Sequence, residues 1–175
     1  MMFSGVYFQK SSTYLDGRGS FRKTFTKDSQ NQVGIFELAE IFYSVSKPGV
    51  FRGMHLQTKR SASLRCVTII SGRVQDVLLD LRVESKTYLQ KVVFDWSDKD
   101  EVSSIIIPPG VAHGFLAIEE STLVYASNNH HDPNLDTGVN PFSLDLPFLE
   151  EIQEISDRDR SLPDISRWIS SEFSV

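Results

Sequence analysis

What most constrains this chain is a succession of short, apolar, turn-bounded segments between residues 65 and 129: RCVTIISG, RVQDVLLDLR, YLQKVVFDW, SSIIIPPG, HGFLAIEE and STLVYASNN. Each is rich in Val, Ile, Leu and aromatic residues and is separated from the next by Gly, Pro, Asp or Asn. Those residues suit pleated, half-buried strands and the turns between them. Strands at this spacing predict an all-β sandwich or barrel. GVYFQK, SFRKTFTKD and VGIFELAEIFYSVS are earlier strand candidates, the last partly helical by its periodicity. Near the end, LPFLEEIQEIS and PDISRWISSEF place apolar residues three and four apart after Pro or Asp, which predicts short helices closing over the β core. NNHHDPNLDTGVNP is the longest loop candidate.

At 175 residues, 40% hydrophobic and 23% charged, the chain suits one globular domain spanning residues 1–175. A single cysteine, Cys66, leaves no partner for an intramolecular disulfide and no set for a multi-cysteine metal site, which points to a reducing cytoplasm. The N-terminus has no basic region leading into a long apolar segment, and no run approaches membrane-spanning length, so neither export nor a membrane partner is expected. A formal charge of −5 gives nucleic acid no general attraction, although a local cationic pocket can still hold a small anion.

Against this apolar texture a few polar residues stand out. GVFRGMHLQ carries Arg52 and His55, IIIPPGVAHGF carries His113, STLVYASNN carries Tyr125, Arg65 opens RCVTIISG, and ISDRDR lies near the C-terminus. Arg52 and His55, three apart on a strand, are expected on opposite faces, since side chains alternate with period two. To serve one ligand, either the strand must twist there or the ligand must bend around it. Taken singly, each residue has an ordinary explanation: a hydrogen-bonded core histidine, a core tyrosine with its hydroxyl at the rim, solvated ion pairs, an edge-strand charge. A metal-dependent site commonly uses two histidines one residue apart on a strand, and His55 has no such companion; adjacent His130 and His131 would diverge if extended. No G-x-S-x-G, G-x-G-x-x-G or phosphate-loop signature occurs, and Cys66 reads as a small buried residue.

Together, GVFRGMHLQ, IPPGVAHGF and ISDRDRSLP, with DGRGSF, GRVQDVLLDLR and SKTY in order, resemble the nucleotide-sugar 3,5-epimerases of the dTDP-4-dehydrorhamnose type, from about residue 5 to about residue 165. The resemblance implies a cupin-like jelly roll of antiparallel strands, no metal or other cofactor, a nucleotide-diphosphate sugar substrate, and a homodimer with exchanged N-terminal strands. It implies His55 as catalytic base paired with Asp159, Tyr125 as general acid on the opposite face of the sugar, and His113 near the sugar. It further implies Arg52 and Arg18 on the diphosphate, Arg18 from the partner subunit, with Phe21 and Phe25 near the nucleotide.

The residue types fit the reaction. In a 4-ketosugar the hydrogens on C3 and C5 are alpha to the carbonyl, so loss of either gives an enolate that can be reprotonated from the other side. A histidine, with ordinary pKa about 6.5, suits abstraction near neutral pH, and a tyrosine of pKa about 10 stays protonated until it delivers its proton. A positive donor at the enolate oxygen contributes about 3–4 kcal/mol in comparable sites. Here the sequence departs from the family: Arg65 stands where lysine is usual, and a guanidinium is broader and more diffuse than an ammonium. Glu40 and Phe42 replace a Gln-x-Asn pair, His130 and His131 replace a tyrosine pair, and Pro141 replaces a tryptophan, which implicates Glu40 and His131 in an altered substrate pocket. Two alternatives accompany epimerisation: a non-catalytic nucleotide-sugar-binding jelly roll, and a ketosugar isomerase using the same enolate.

Overall fold

The computed structural model describes residues 3–26 and 36–170. Along the chain lie β1 (Tyr7–Lys10), β2 (Thr13–Asp16), β3 (Gly19–Arg22), β4 (Glu40–Ser46), β5 (Val50–Gln57), β6 (Arg65–Ser71), β7 (Arg73–Asp80), β8 (Lys91–Ser97), β9 (Val102–Ile107), β10 (Val111–Ala117), β11 (Ser121–Ser127), β12 (Asp136–Gly138) and β13 (Glu154–Ile155). Two short helices follow, α1 (Asp157–Arg160) and α2 (Ile165–Ser170). One sheet runs β1-β9-β6-β11-β4; the other runs β12-β5-β10-β7-β8 with β13 also on β5; β2 and β3 form a separate hairpin. The architecture is an all-β, cupin-like jelly roll with short C-terminal helices.

The apolar pattern of each strand decides what it faces. The first sheet packs one face inward, so β11 alternates with Leu123 and Tyr125 buried and Thr122 and Val124 less so. The second sheet is covered on both faces, and β10 accordingly reads as an unbroken buried run. Between the sheets, Val67, Ile69, Leu78, Trp96, Ile105, Val111, Phe115 and Leu123 form the main core. On the far side of the second sheet, Phe51, Met54, Val77, Leu79, Leu116, Leu144, Ile155 and Trp168 form a second core. Trp168 is fixed there by Nε1 donating to Gly138 O at 2.9 Å. Each fully buried aromatic contributes roughly 1.5–3 kcal/mol of transfer free energy.

Several expectations need correction. LPFLEEIQEIS is not a helix: it runs extended, Gln153 and Glu154 N donate to Gly49 O, and β13 pairs parallel with β5. Phe148, Ile152 and Ile155 pack on the second core at intervals that mimic a helical stripe. VGIFELAEIFYSVS is a strand from Glu40 to Ser46, with no helix in its described part; residues 33–35 of that segment, residues 27–28 of SFRKTFTKD and residues 171–173 of PDISRWISSEF lie outside the described residues. SFRKTFTKD keeps its strand only to Arg22, and the long loop candidate contains the short strand β12.

A buried carboxylate organises the turn after β7. Asp80 accepts from Arg82 Nε at 2.8 Å and Nη2 at 2.7 Å, and from Ser85 Oγ and Thr87 Oγ1 at 2.6 Å each. Burial alone would raise its pKa, but these donors outweigh it and hold the carboxyl at about 2.

Candidate active site

A cavity of about 490 Å³ opens between the sheets, lined among others by Glu40, Phe42, Arg52, His55, Arg65, His113, Tyr125, His131 and Asp159. Arg52 and His55 therefore share a face, against the simple alternation rule. The reason is a bulge: His55 pairs with His113 and Arg52 with Phe115, so β5 advances three residues while β10 advances two. Gly53 sits in this step at φ +131°, and a Cβ on it would lie 2.4 Å from Gly114 Cα. A glycine is required by both the backbone angle and the contact. On its other edge β5 meets Gly138, where a Cβ would fall 1.7 Å from Met54 O.

Asp159, the third residue of α1, reaches β5 from the C-terminal segment. Its Oδ1 lies 2.8 Å from His55 Nε2, and its Oδ2 accepts from Gly53 N at 3.1 Å. Ser156 caps α1, its Oγ accepting from Asp159 N at 3.1 Å. Burial raises the Asp159 carboxyl, but the hydrogen bond and charge of His55 and the bond from Gly53 bring it below its ordinary value. An ionised Asp159 accepts a hydrogen bond from Nε2–H, the tautomer that leaves Nδ1 as the unprotonated nitrogen of the neutral imidazole.

Tyr125 comes from β11, on the sheet opposite His55. Burial raises its phenol well above the ordinary value, offset only in part by the Ser44 hydroxyl and the Arg65 and Arg52 charges. Its ring stacks on Phe42, centroids 4.8 Å apart and planes 8° apart. His113 lies 6.3 Å from the Tyr125 ring and sets Nε2 2.8 Å from Asp76 Oδ2. Burial raises the Asp76 carboxyl, with His113 pulling it back.

Three arginines line this cavity of a chain whose formal charge is −5. Arg52 donates to Ser46 Oγ at 2.8 Å and Val45 O at 3.1 Å. Arg65 spans the two sheets, Nη2 donating to Val111 O at 3.1 Å and His55 O at 3.3 Å. Burial lowers its pKa, countered by Tyr125, Asp136 and Asp76. Arg158 is held by Asp136. At the mouth, His131 Nδ1 accepts from Gln57 Nε2 at 2.9 Å, and His131 N donates to Glu40 Oε2 at 3.3 Å.

The structure thus gathers His55, Asp159, Tyr125, Arg65, Arg52, His113, Glu40 and His131 around one cavity. Arg18, Phe21 and Phe25 do not line it within this chain. Arg18 pairs with Asp16 on the β2–β3 hairpin, where Phe21 is 59% exposed, and Phe25 packs against Phe36 at 5.5 Å. Sequence reasoning missed Asp76, whose signal was an acid inside the apolar strand RVQDVLLD, and also Gln57, Asp136 and Arg158.

Residues 1–167 match the family model of dTDP-4-dehydrorhamnose 3,5-epimerase. The chain belongs to this family. It is 33% identical over 156 residues to the dTDP-4-dehydrorhamnose 3,5-epimerase of Mycolicibacterium smegmatis, covering 86% of this chain and 77% of that one. To the dTDP-4-dehydrorhamnose 3-epimerase of Streptomyces niveus it is 38% identical over 112 residues, 62% of this chain and 53% of the other. Among solved structures, the 4-keto-6-deoxy sugar epimerase of the Streptomyces spheroides novobiocin cluster superposes with TM-score 0.85 at 30% identity, over 97% of this chain and 87% of that chain. Epimerases of this family acting on one carbon and on two are therefore both similar to this chain.

Proposed function

We propose that this protein epimerises a dTDP-linked 4-keto-6-deoxyhexose at C3, C5 or both, in deoxysugar biosynthesis. The observation that carries the reading is the opposition of two proton carriers: the His55–Asp159 pair on one sheet and Tyr125 on the other. His55 Nδ1 takes the proton alpha to the C4 carbonyl, the electron pair moves onto the carbonyl oxygen, and Tyr125 returns a proton to the opposite face. The proton count balances and no electrons are gained or lost, so the step calls for no redox cofactor. Arg65 supplies positive charge for the enolate oxygen, Arg52 binds the diphosphate, and His113, Glu40 and His131 contact the sugar or nucleotide.

One domain, residues 1–175, works in the cytoplasm as a homodimer. Among the described residues no helix is long and apolar enough to cross a membrane. Support for dimerisation comes from the β2–β3 hairpin, whose Tyr14, Leu15 and Phe21 are 64%, 80% and 59% exposed. Carried to a partner, this hairpin brings Arg18 and Phe21 to the nucleotide, with Phe25 following it in the chain. The direct test is product analysis by NMR after incubation with dTDP-4-keto-6-deoxyglucose. Inversion at C3 or C5 that is lost in Tyr125→Phe is expected; unaltered sugar with the wild-type protein would overturn the reading.

A further inference from the structure

Of β4, Glu40, Phe42 and Ser44 line the cavity, so one large apolar side chain stands between two polar ones. Phe42 is 48% exposed, so core packing does not account for it. What it does contact is specific. Phe42 is the direct cross-strand partner of Tyr125 in the β4–β11 ladder, and the two rings lie almost parallel at 4.8 Å. With His113 also packed at 6.3 Å from the same ring, the Tyr125 ring is braced, and the direction in which it carries its hydroxyl into the cavity is set by ring packing.

Placement matters because the carbanion has two possible proton sources. Return of a proton from His55 regenerates the starting configuration and exchanges solvent hydrogen into the sugar; delivery from Tyr125 inverts the carbon. In the inverting step the Tyr125 O–H bond breaks, a C–H bond forms from the enolate electron pair, the C4 carbonyl is restored, and the phenolate recovers its proton from water. We propose that Phe42 is a positioning residue that fixes the Tyr125 phenol against the carbanion and so sets the ratio of inversion to exchange with retention. This rests on the epimerase reading above.

The test is proton NMR in deuterium oxide with dTDP-4-keto-6-deoxyglucose, scoring deuterium incorporation and configuration at C3 and C5 separately. Phe42→Ala and Phe42→Leu should each raise the ratio of exchange with retention to inversion roughly two- to tenfold, the scale of a lost aromatic pair. Phe42→Tyr, which keeps the stack, should restore the wild-type ratio. Circular dichroism identifies a variant that fails to fold, and Phe42→Leu preserves bulk on the strand. A loss of rate with an unchanged ratio in Phe42→Leu would overturn the proposal, because a merely structural role slows both outcomes alike. Neither exchange nor inversion with the wild-type protein would instead overturn the epimerase reading on which it rests, and the proposal with it.

Discussion

The imidazole of His55 owes its orientation to a carboxylate 104 positions further along the chain. Asp159 holds Nε2 and the backbone N–H of Gly53 at once, so it aligns the imidazole and pins the bulge beneath it. Asp159→Asn keeps the shape but removes the charge that stabilises the imidazolium as it forms. Its turnover, measured under saturating dTDP-4-keto-6-deoxyglucose, should fall about 10²–10⁴-fold with a much smaller change in KM. Tyr125→Phe should suppress inversion while solvent exchange continues; equal loss of both would mean that the tyrosine orients the sugar instead. That His55, Tyr125 and Asp159 would meet at one cavity was legible because each sits in a recognisable string. Asp76 was not, because RVQDVLLD reads as an ordinary strand until its register places Asp76 opposite Phe115 and within reach of His113.

At the scale of the element, β5 carries the site because it is irregular. Period-two alternation correctly located the strand but separated Arg52 from His55; one extra residue against β10 reunites them, and pairing register is a tertiary property that local sequence does not encode. Gly53→Ala forces a Cβ into Gly114 at a positive φ. It should cost about 3 kcal/mol or more of unfolding free energy in a denaturant titration, with loss of turnover. The turn after β7 responds to acid. Asp80 has a folded-state pKa of about 2 against an ordinary value near 4. Its contribution is fully present above about pH 4 and is lost as pH falls toward 2, a loss on the order of 2 kcal/mol. Asp80→Asn should flatten that acid limb in thermal melts between pH 5 and 2. The false helix at LPFLEEIQEIS has the same origin as the missed bulge: apolar spacing was present, but Gly49 O and the edge of β5 captured the backbone.

For the whole molecule, the two-sheet roll is what makes opposite-face chemistry possible. One sheet carries His55, the other Tyr125, and Arg65 bridges them. The strand texture and the motif order made this architecture readable; the assembly is less readable, because a hairpin exposed on both faces reveals only that none of the described residues covers its apolar side chains. Leu15→Glu with Phe21→Glu should convert a dimer to a monomer by light scattering and reduce activity, whereas an unchanged mass would remove the exchanged-hairpin arrangement. The central claim, carbanion formation beside the carbonyl with His55 as base, is tested most directly by proton NMR of dTDP-4-keto-6-deoxyglucose in deuterium oxide. Wild-type protein should place deuterium at C3, C5 or both while folded His55→Asn places it at neither; exchange that persists undiminished in His55→Asn, or is absent with the wild type, would contradict it.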